Sequence, residues 1–361
     1  MTQILDQTDS ENMVRPRLIA VCAASLVVLL SACAAPPPAS SASIAPPSAP
    51  IATPSPTAPA SPAPTPSPTP ITLPSVAQLS APSANVVWAL VAGTRLFRST
   101  DRGSTWQEPS ALGSLALNGE VAFISETEGW LATFGSTAPP CQNQSVGITH
   151  TTDGGATWDP FVVASVAPSA DPPGTGGAKC KERLSLADAQ RGFLSAYEPN
   201  SAAVIYRTTD RGRTWSASNL LPLPPGFTTG SGAFLRPERV RALGGGLLVL
   251  VRANDLRSHV YRSVDGGATW SYLATVPQGE GAFAFVTATR WLQISTPSSS
   301  KETTDGGATW HAFTTDYSQA APIAPELVFG DPLVGYATVR GAIQRTIDGG
   351  AHWTGIKTPG T

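Results

Sequence analysis

One stretch of eight residues recurs six times and restricts the possible folds more than any other feature of the chain. It reads STDRGSTW from Ser99, TTDGGATW from Thr151, TTDRGRTW from Thr208, SVDGGATW from Ser263, TTDGGATW from Thr303 and TIDGGAHW from Thr346. Its aspartates, Asp101, Asp153, Asp210, Asp265, Asp305 and Asp348, stand 52, 57, 55, 40 and 43 residues apart. Self-similarity at such intervals marks a repeat architecture, in which each unit buries its apolar face against the next. The stretch has the chemistry of a tight turn. Asp and Ser/Thr side chains bond backbone amides two residues on, and Gly supplies positive φ. The second glycine (Gly103, Gly155, Gly212, Gly267, Gly307, Gly350) is present in all six copies, so its position is expected to exclude a Cβ. The Trp that follows begins an outgoing strand and offers a large apolar face. Six aspartates on a period cannot converge on one active site. They also lack the alternating oxygen ligands and terminal Glu of a calcium loop. They are read as structural, and no metal or cofactor is expected.

These residues resemble the Asp-box, or bacterial neuraminidase repeat, of sialidases, sortilin-like propellers and photosystem II assembly factor-like propellers. The resemblance runs from about Val76 to the C-terminus. It implies an all-β fold over residues 76–361, a six-bladed β-propeller of four-stranded antiparallel blades with the box between the third and fourth strands. It implies no activity, because members of one fold differ in function. Each repeat parses into four short strands. The first repeat ends in TWQEPS as its fourth strand; the third begins at Arg183 (RLSLADA) and the fourth at Arg239 (RVRALGG). An aromatic recurs early in the second strand, as Trp88, Trp130, Phe193, Trp291 and Tyr336, with Leu248 in the fourth repeat. These are expected to pack between blades. A ring that closes on itself removes most exposed sheet edge, and a monomeric propeller is expected.

The segment ahead of the repeats has other work. Arg15 and Arg17 precede an apolar run from Leu18 to Leu30, too short to span a bilayer comfortably. The sequence Leu30-Ser31-Ala32-Cys33 resembles a lipobox, which implies residues 1–33 as a lipoprotein signal peptide and Cys33 as the lipidated residue. Translation from Met13 would also leave a complete signal. Residues 34–75 hold 15 of the 35 prolines among Ala, Ser and Thr, a linker expected to stay disordered. At roughly 3.1 Å per residue such a stalk reaches about 130 Å. The expected address is therefore outside the cytoplasmic membrane or at the cell surface, held by lipid. Cys141 and Cys180 then remain as an even pair in an oxidising compartment.

Up-down connectivity places the boxes on one rim, with the second-to-third turns and blade crossings on the other. That second rim carries the longer connections, residues 135–146, 165–182, 219–236 and 314–325. Cys141 and Cys180 fall in adjacent ones and are expected to form a disulfide. Loops on a rigid scaffold carry function, so Arg183, Glu238, Arg239, Arg252 and Arg340 near this rim are candidate binding residues. Arg98, Arg207, Arg262 and Arg345, three before a box aspartate, are expected to lie along blade surfaces. A formal net charge of −2 gives no electrostatic case for nucleic acid. The leading reading is a non-enzymatic binding or assembly propeller for an envelope protein or glycan. The alternative is an exo-sialidase-like glycoside hydrolase, with Tyr197 and Glu198 as nucleophile and acidic partner. Against it, the Arg-Ile-Pro signature of sialidases is missing, the nearest string being Arg236-Pro237. Nothing in the sequence points to a chlorophyll-bearing partner.

Overall fold

Short apolar runs broken by Gly, Pro and Asp favour strands over helices, and every regular element among the described residues is a strand. The computed structural model describes residues 76–361 except 93, 110–111, 113–118, 136–140, 142–143, 160–161, 165–179, 199–201, 229–233, 254–255, 280, 296–297, 318–325, 340 and 360–361. The expected signal peptide, Cys33 and the Pro-rich linker lie outside the described residues. Six antiparallel sheets follow one another along the chain as six blades. Their first strands are Val76–Ser80, Gly119–Phe123, Cys180–Leu186, Leu235–Pro237 with Arg241–Leu243, Ala282–Phe285 and Leu327–Phe329. The first strands of blades one to four neighbour one another in turn, as do those of blades five and six, and Leu327–Phe329 returns to Val76–Ser80. The fourth and fifth blades share an apolar cluster, so the blades close a ring around a channel.

Three strand boundaries differ from the sequence reading. In the first blade, the expected fourth strand is reduced to an isolated bridge between Arg98 and Gln107. Pro109 has no amide to extend it. The first strand of the third blade begins at Cys180, three residues before Arg183, with its register broken between Glu182 and Leu184. In the fourth blade the first strand begins at Leu235 and is split, because Val240 donates to Ser185 Oγ (3.1 Å) in the preceding blade instead of to its own sheet. Two of the long connections are correspondingly shorter than expected.

The core lies between the blades. Six clusters of buried apolar residues each join two consecutive blades, including the last to the first. The recurrent aromatics anchor them. Trp88, Trp130, Trp291 and Tyr336 are fully buried, and Phe193 and Leu248 nearly so. Trp88 stacks on Phe123 of the second blade with centroids 3.7 Å apart. Truncating such a side chain costs about 3–5 kcal/mol. Ring closure adds polar ties: Trp106 Nε1 donates to the Lys357 carbonyl (2.8 Å) and Arg345 to the Arg102 carbonyl (2.8 Å). Arg98 likewise reaches the Glu126 carbonyl of the second blade (3.3 Å).

The repeated turn is wired alike in all six blades. The leading Ser/Thr hydroxyl donates to Asp Oδ1 at 2.7–2.9 Å and accepts from the second glycine amide at 2.7–3.0 Å. The aspartate reaches farther than expected. Its Oδ1 accepts the amide four residues on at 2.8–3.0 Å. Its Oδ2 accepts the Thr hydroxyl there at 2.5–2.7 Å in five copies, and His352 Nδ1 replaces that hydroxyl in the sixth. The Thr105 hydroxyl, then its amide, holds the Asp101 carboxyl at about 2. Thr157 does the same for Asp153. At Asp348, burial pushes upward but the His352 amide and ring hold the carboxyl at about 2. Two consecutive residues of each turn have positive φ, the second at 79–102°. A Cβ on Gly103 would lie 2.3 Å from Ile356 Cδ1 of the sixth blade and one on Gly267 2.9 Å from Phe193 Cε1 of the third, whereas at Gly155 the nearest atoms stand at 3.7 Å, so the turn glycine is pressed against the preceding blade in some copies and not in others. Box residues bond the first-to-second-strand turns of the same blade, as Gly154 does to the Thr127 carbonyl (2.8 Å), which fixes both turns on one rim.

Candidate functional site

The first strands carry charge where a β-core ordinarily carries none. Glu120, Glu182, Arg183, Arg236, Arg239, Arg241 and Glu326 lie on or beside them and converge in the channel with Glu238 and Arg252. All but Glu120 and Glu182 line a cavity of about 430 Å³ whose remaining wall is apolar, with Leu250, Phe283, Phe285, Leu327 and Phe329.

Most of these charges hold one another. Arg236 grips Glu182 through two bonds of 2.5 Å. Arg239 reaches Glu326 at 3.1 Å with one terminal nitrogen and Glu120 at 3.1 Å with the other. Glu238 accepts from Arg252 Nε (2.7 Å), and the Arg183 guanidinium stands 3.1 Å away as an ion-pair partner without a hydrogen bond. Burial pushes the Glu238 carboxyl up, but Arg183 and Arg252 outweigh it and hold it below the ordinary value. Arg241 differs: its Nη2 donates to the Phe329 carbonyl at 3.2 Å, and among the described residues it has no carboxylate partner. Burial, then the neighbouring Arg239 charge, pulls its pKa below the usual arginine value. Among the described residues of the channel, five guanidiniums (183, 236, 239, 241, 252) thus face four carboxylates (120, 182, 238, 326), one positive charge in excess.

Backbone geometry sets this arrangement. Arg183 sits at the irregularity of its strand with φ +58°, a left-handed conformation costly for a residue with a side chain. The Glu120 carboxylate holds that kink by accepting the amides of Arg183 (3.2 Å) and Leu184 (3.1 Å). A bulge of this kind re-aims a side chain, here toward Glu238. The rim is further clasped by the Cys141–Cys180 disulfide (Cα–Cα 5.3 Å). Beside it, Gln144 Oε1 accepts the Lys181 amide (2.6 Å) and Nε2 donates to its carbonyl (3.1 Å).

Of the residues singled out in the sequence, Arg183, Glu238, Arg239 and Arg252 meet here. Arg340 lies outside the described residues. Tyr197 pairs in register with Cys180, and its ring lies 5.0 Å beneath the Arg236 guanidinium. Glu198 follows it at the strand end and is partly buried. Sequence reasoning missed Glu120, Glu182, Arg236, Arg241 and Glu326 as site residues. Their signal was available as opposite charges on short strands whose other residues read as core. Among the described residues no cluster of His, Cys, Asp or Glu could hold a metal ion, and no helix is long and apolar enough to cross a membrane.

No family model matches the chain. A xyloglucanase from Paenibacillus is 27% identical over 169 residues, 45% of this chain and 14% of that protein, so the matched stretch spans about a seventh of that relative's length. Among solved structures, YCF48 from Cyanidioschyzon merolae is 18% identical, covering 80% of this chain and 87% of its own, with a TM-score of 0.45. A YCF48 bound to a D1 peptide is 17% identical over 77% of this chain and 93% of its own, at a TM-score of 0.40. A GH74 enzyme from Niastella koreensis is 17% identical over 77% of this chain and 46% of its own, at a TM-score of 0.42. At these identities and scores what those proteins bind or cleave stays with them.

Proposed function

We propose that the chain is an exported, non-enzymatic β-propeller, lipid-anchored through Cys33, that binds an envelope protein or glycan over the channel mouth opposite the boxes. One observation carries the non-enzymatic part: the carboxylates of the channel are each bonded to arginine. A glycosidase needs a carboxylic acid kept protonated near neutral pH, whereas Glu238 is held below its ordinary value. A sialidase-type site also needs three arginines open to the substrate carboxylate. Here Arg183, Arg236, Arg239 and Arg252 are already engaged by glutamates. The disulfide supports export, because such bonds persist in oxidising compartments. The repeated turn, with its identical wiring in six blades, supports the Asp-box reading.

A glycoside hydrolase remains the second reading, favoured by the stretch similar to a xyloglucanase. The experiment is a turnover assay of the full chain on a fluorogenic sialoside, aryl glycosides and xyloglucan. No turnover is expected. Hydrolysis that disappears in Tyr197→Phe would replace the binding reading with the hydrolase. Fatty-acid incorporation in cells, lost in Cys33→Ala, is expected for the anchor; unchanged labelling would remove it.

A further inference from the structure

We infer that Arg241 is the anion-receiving group of a small-molecule pocket inside the channel, one that takes a single carboxylate carried on an apolar body. The charge count points to it. The other four guanidiniums of the channel each hold a glutamate, while Arg241 makes one bond, to the Phe329 carbonyl at 3.2 Å. It stands where two cavities meet, of about 430 and 550 Å³, both bordered by Arg241 and Phe329. Space of a few hundred cubic ångströms suits a small organic molecule.

Electrostatics select the first cavity. Its carboxylates, Glu238 and Glu326, are already neutralised by Arg252 and Arg239. The second cavity presents Asp331, whose Oδ1 accepts the Leu333 and Val334 amides, and that charge repels an anion. A partly buried cation beside Arg239 is unfavourable alone, and burial and that neighbour both act against its charge. An anion at Arg241 relieves both penalties through charge-assisted bonds. The apolar wall of Leu250, Phe283 and Leu327 then covers the ligand's body, which a bare inorganic anion would leave in contact with nothing. The inference does not depend on what the outer mouth binds.

Isothermal titration of the purified full chain in detergent at low ionic strength tests this, with phenylacetate as probe. Phenylacetate is expected to bind. Phenylacetamide, which lacks the charge, and the Arg241→Gln variant are each expected to weaken binding at least about tenfold. Sulfate, which lacks the apolar body, is expected to bind more weakly than phenylacetate. Arg241→Lys keeps the charge and is expected to lose less than Arg241→Gln. Equal binding of acid and amide, undiminished binding by a folded Arg241→Gln, or no heat with phenylacetate up to about 10 mM would each overturn the assignment. Should Arg241→Gln lose its far-ultraviolet dichroism, the amide and Arg241→Lys arms decide.

Discussion

Gly307→Ala and Gly155→Ala occupy the same position of the repeated turn and separate its two demands. Both glycines are left-handed, at φ +89° and +81°. An alanine there pays about 1–2 kcal/mol of backbone strain, offset by about 0.4–1 kcal/mol through the less free unfolded chain. That leaves about 1 kcal/mol for both. The surroundings differ. At Gly155 the nearest atoms to a new Cβ are Leu96 Cδ2 and Pro109 Cβ, each at 3.7 Å, an ordinary contact. At Gly307 a Cβ would meet Trp291 Cζ3 at 2.6 Å and Ala274 Cβ at 2.7 Å. The Trp291 ring is fully buried between blades and cannot swing away. Overpacking of this kind adds about 1–3 kcal/mol. Gly307→Ala is therefore expected to cost about 2–4 kcal/mol and Gly155→Ala about 1 kcal/mol. Thermal unfolding followed by circular dichroism should place the two melting points about 6 °C apart for a 2 kcal/mol difference. Equal losses would refute the claim that the turn glycine serves blade-to-blade fit as well as turn conformation.

Acid should loosen the turns together. The box carboxyls fold with lowered pKa, Asp101, Asp153 and Asp348 at about 2, so the stability they supply is full above the ordinary carboxylate value near 4 and is lost as pH falls through 2. Tryptophan fluorescence, reporting on the Trp that follows each box, should change over that window; a flat signal would contradict the wiring. His352 has the opposite sign. The Asp348 carboxylate raises its pKa, so its contribution is full below about 6.5 and declines as pH rises through the raised value. His352→Thr, restoring the residue of the other copies, should abolish the chemical-shift titration at this turn. The Cys141–Cys180 bridge closes 39 residues of sequence, for which chain entropy gives about 4 kcal/mol. Dithiothreitol is expected to lower the melting point of wild type and leave Cys141→Ser with Cys180→Ser unchanged.

The scaffold was legible because the same physical problem is solved six times. A turn that needs left-handed backbone at its second glycine shows the same residue at Gly103, Gly155, Gly212, Gly267, Gly307 and Gly350. The preceding position tolerates Arg102 and Arg211, at φ 62° and 65°. The second-strand aromatics were readable for the same reason. What failed to show was geometry that occurs once. The split strand around Glu238 depends on Val240 bonding Ser185 in another blade, a long-range choice that local pattern does not carry. The kink at Arg183 is held by Glu120, 63 residues earlier in the chain. Arg241 and Glu326 were passed over because a charge inside a short apolar strand reads as an exposed edge until the ring places it inside a channel.

The channel charges are separable from folding, and this can be tested. Closure needs the six interblade clusters and the turns; the first strands of the first and fifth blades, VAQLS and AFAF, carry no charge at all. Arg239 and Glu326 are each about a quarter exposed, so pairing them recovers little more than their desolvation costs. Arg239→Met alone removes the guanidinium bonds to both Glu326 and Glu120 and is expected to cost about 3 kcal/mol. Arg239→Met with Glu326→Leu replaces that pair by apolar contact, and Glu120, which also loses Arg239, keeps the Arg183 and Leu184 amides and the Arg183 guanidinium at 3.7 Å. That double variant is expected to melt at or above the wild-type temperature. A double variant less stable than Arg239→Met would mean that the pair holds the ring together. A stable one would mean that Arg239 and Glu326 are kept in a place where apolar side chains would fold as well. Their service is then to whatever occupies the channel mouth.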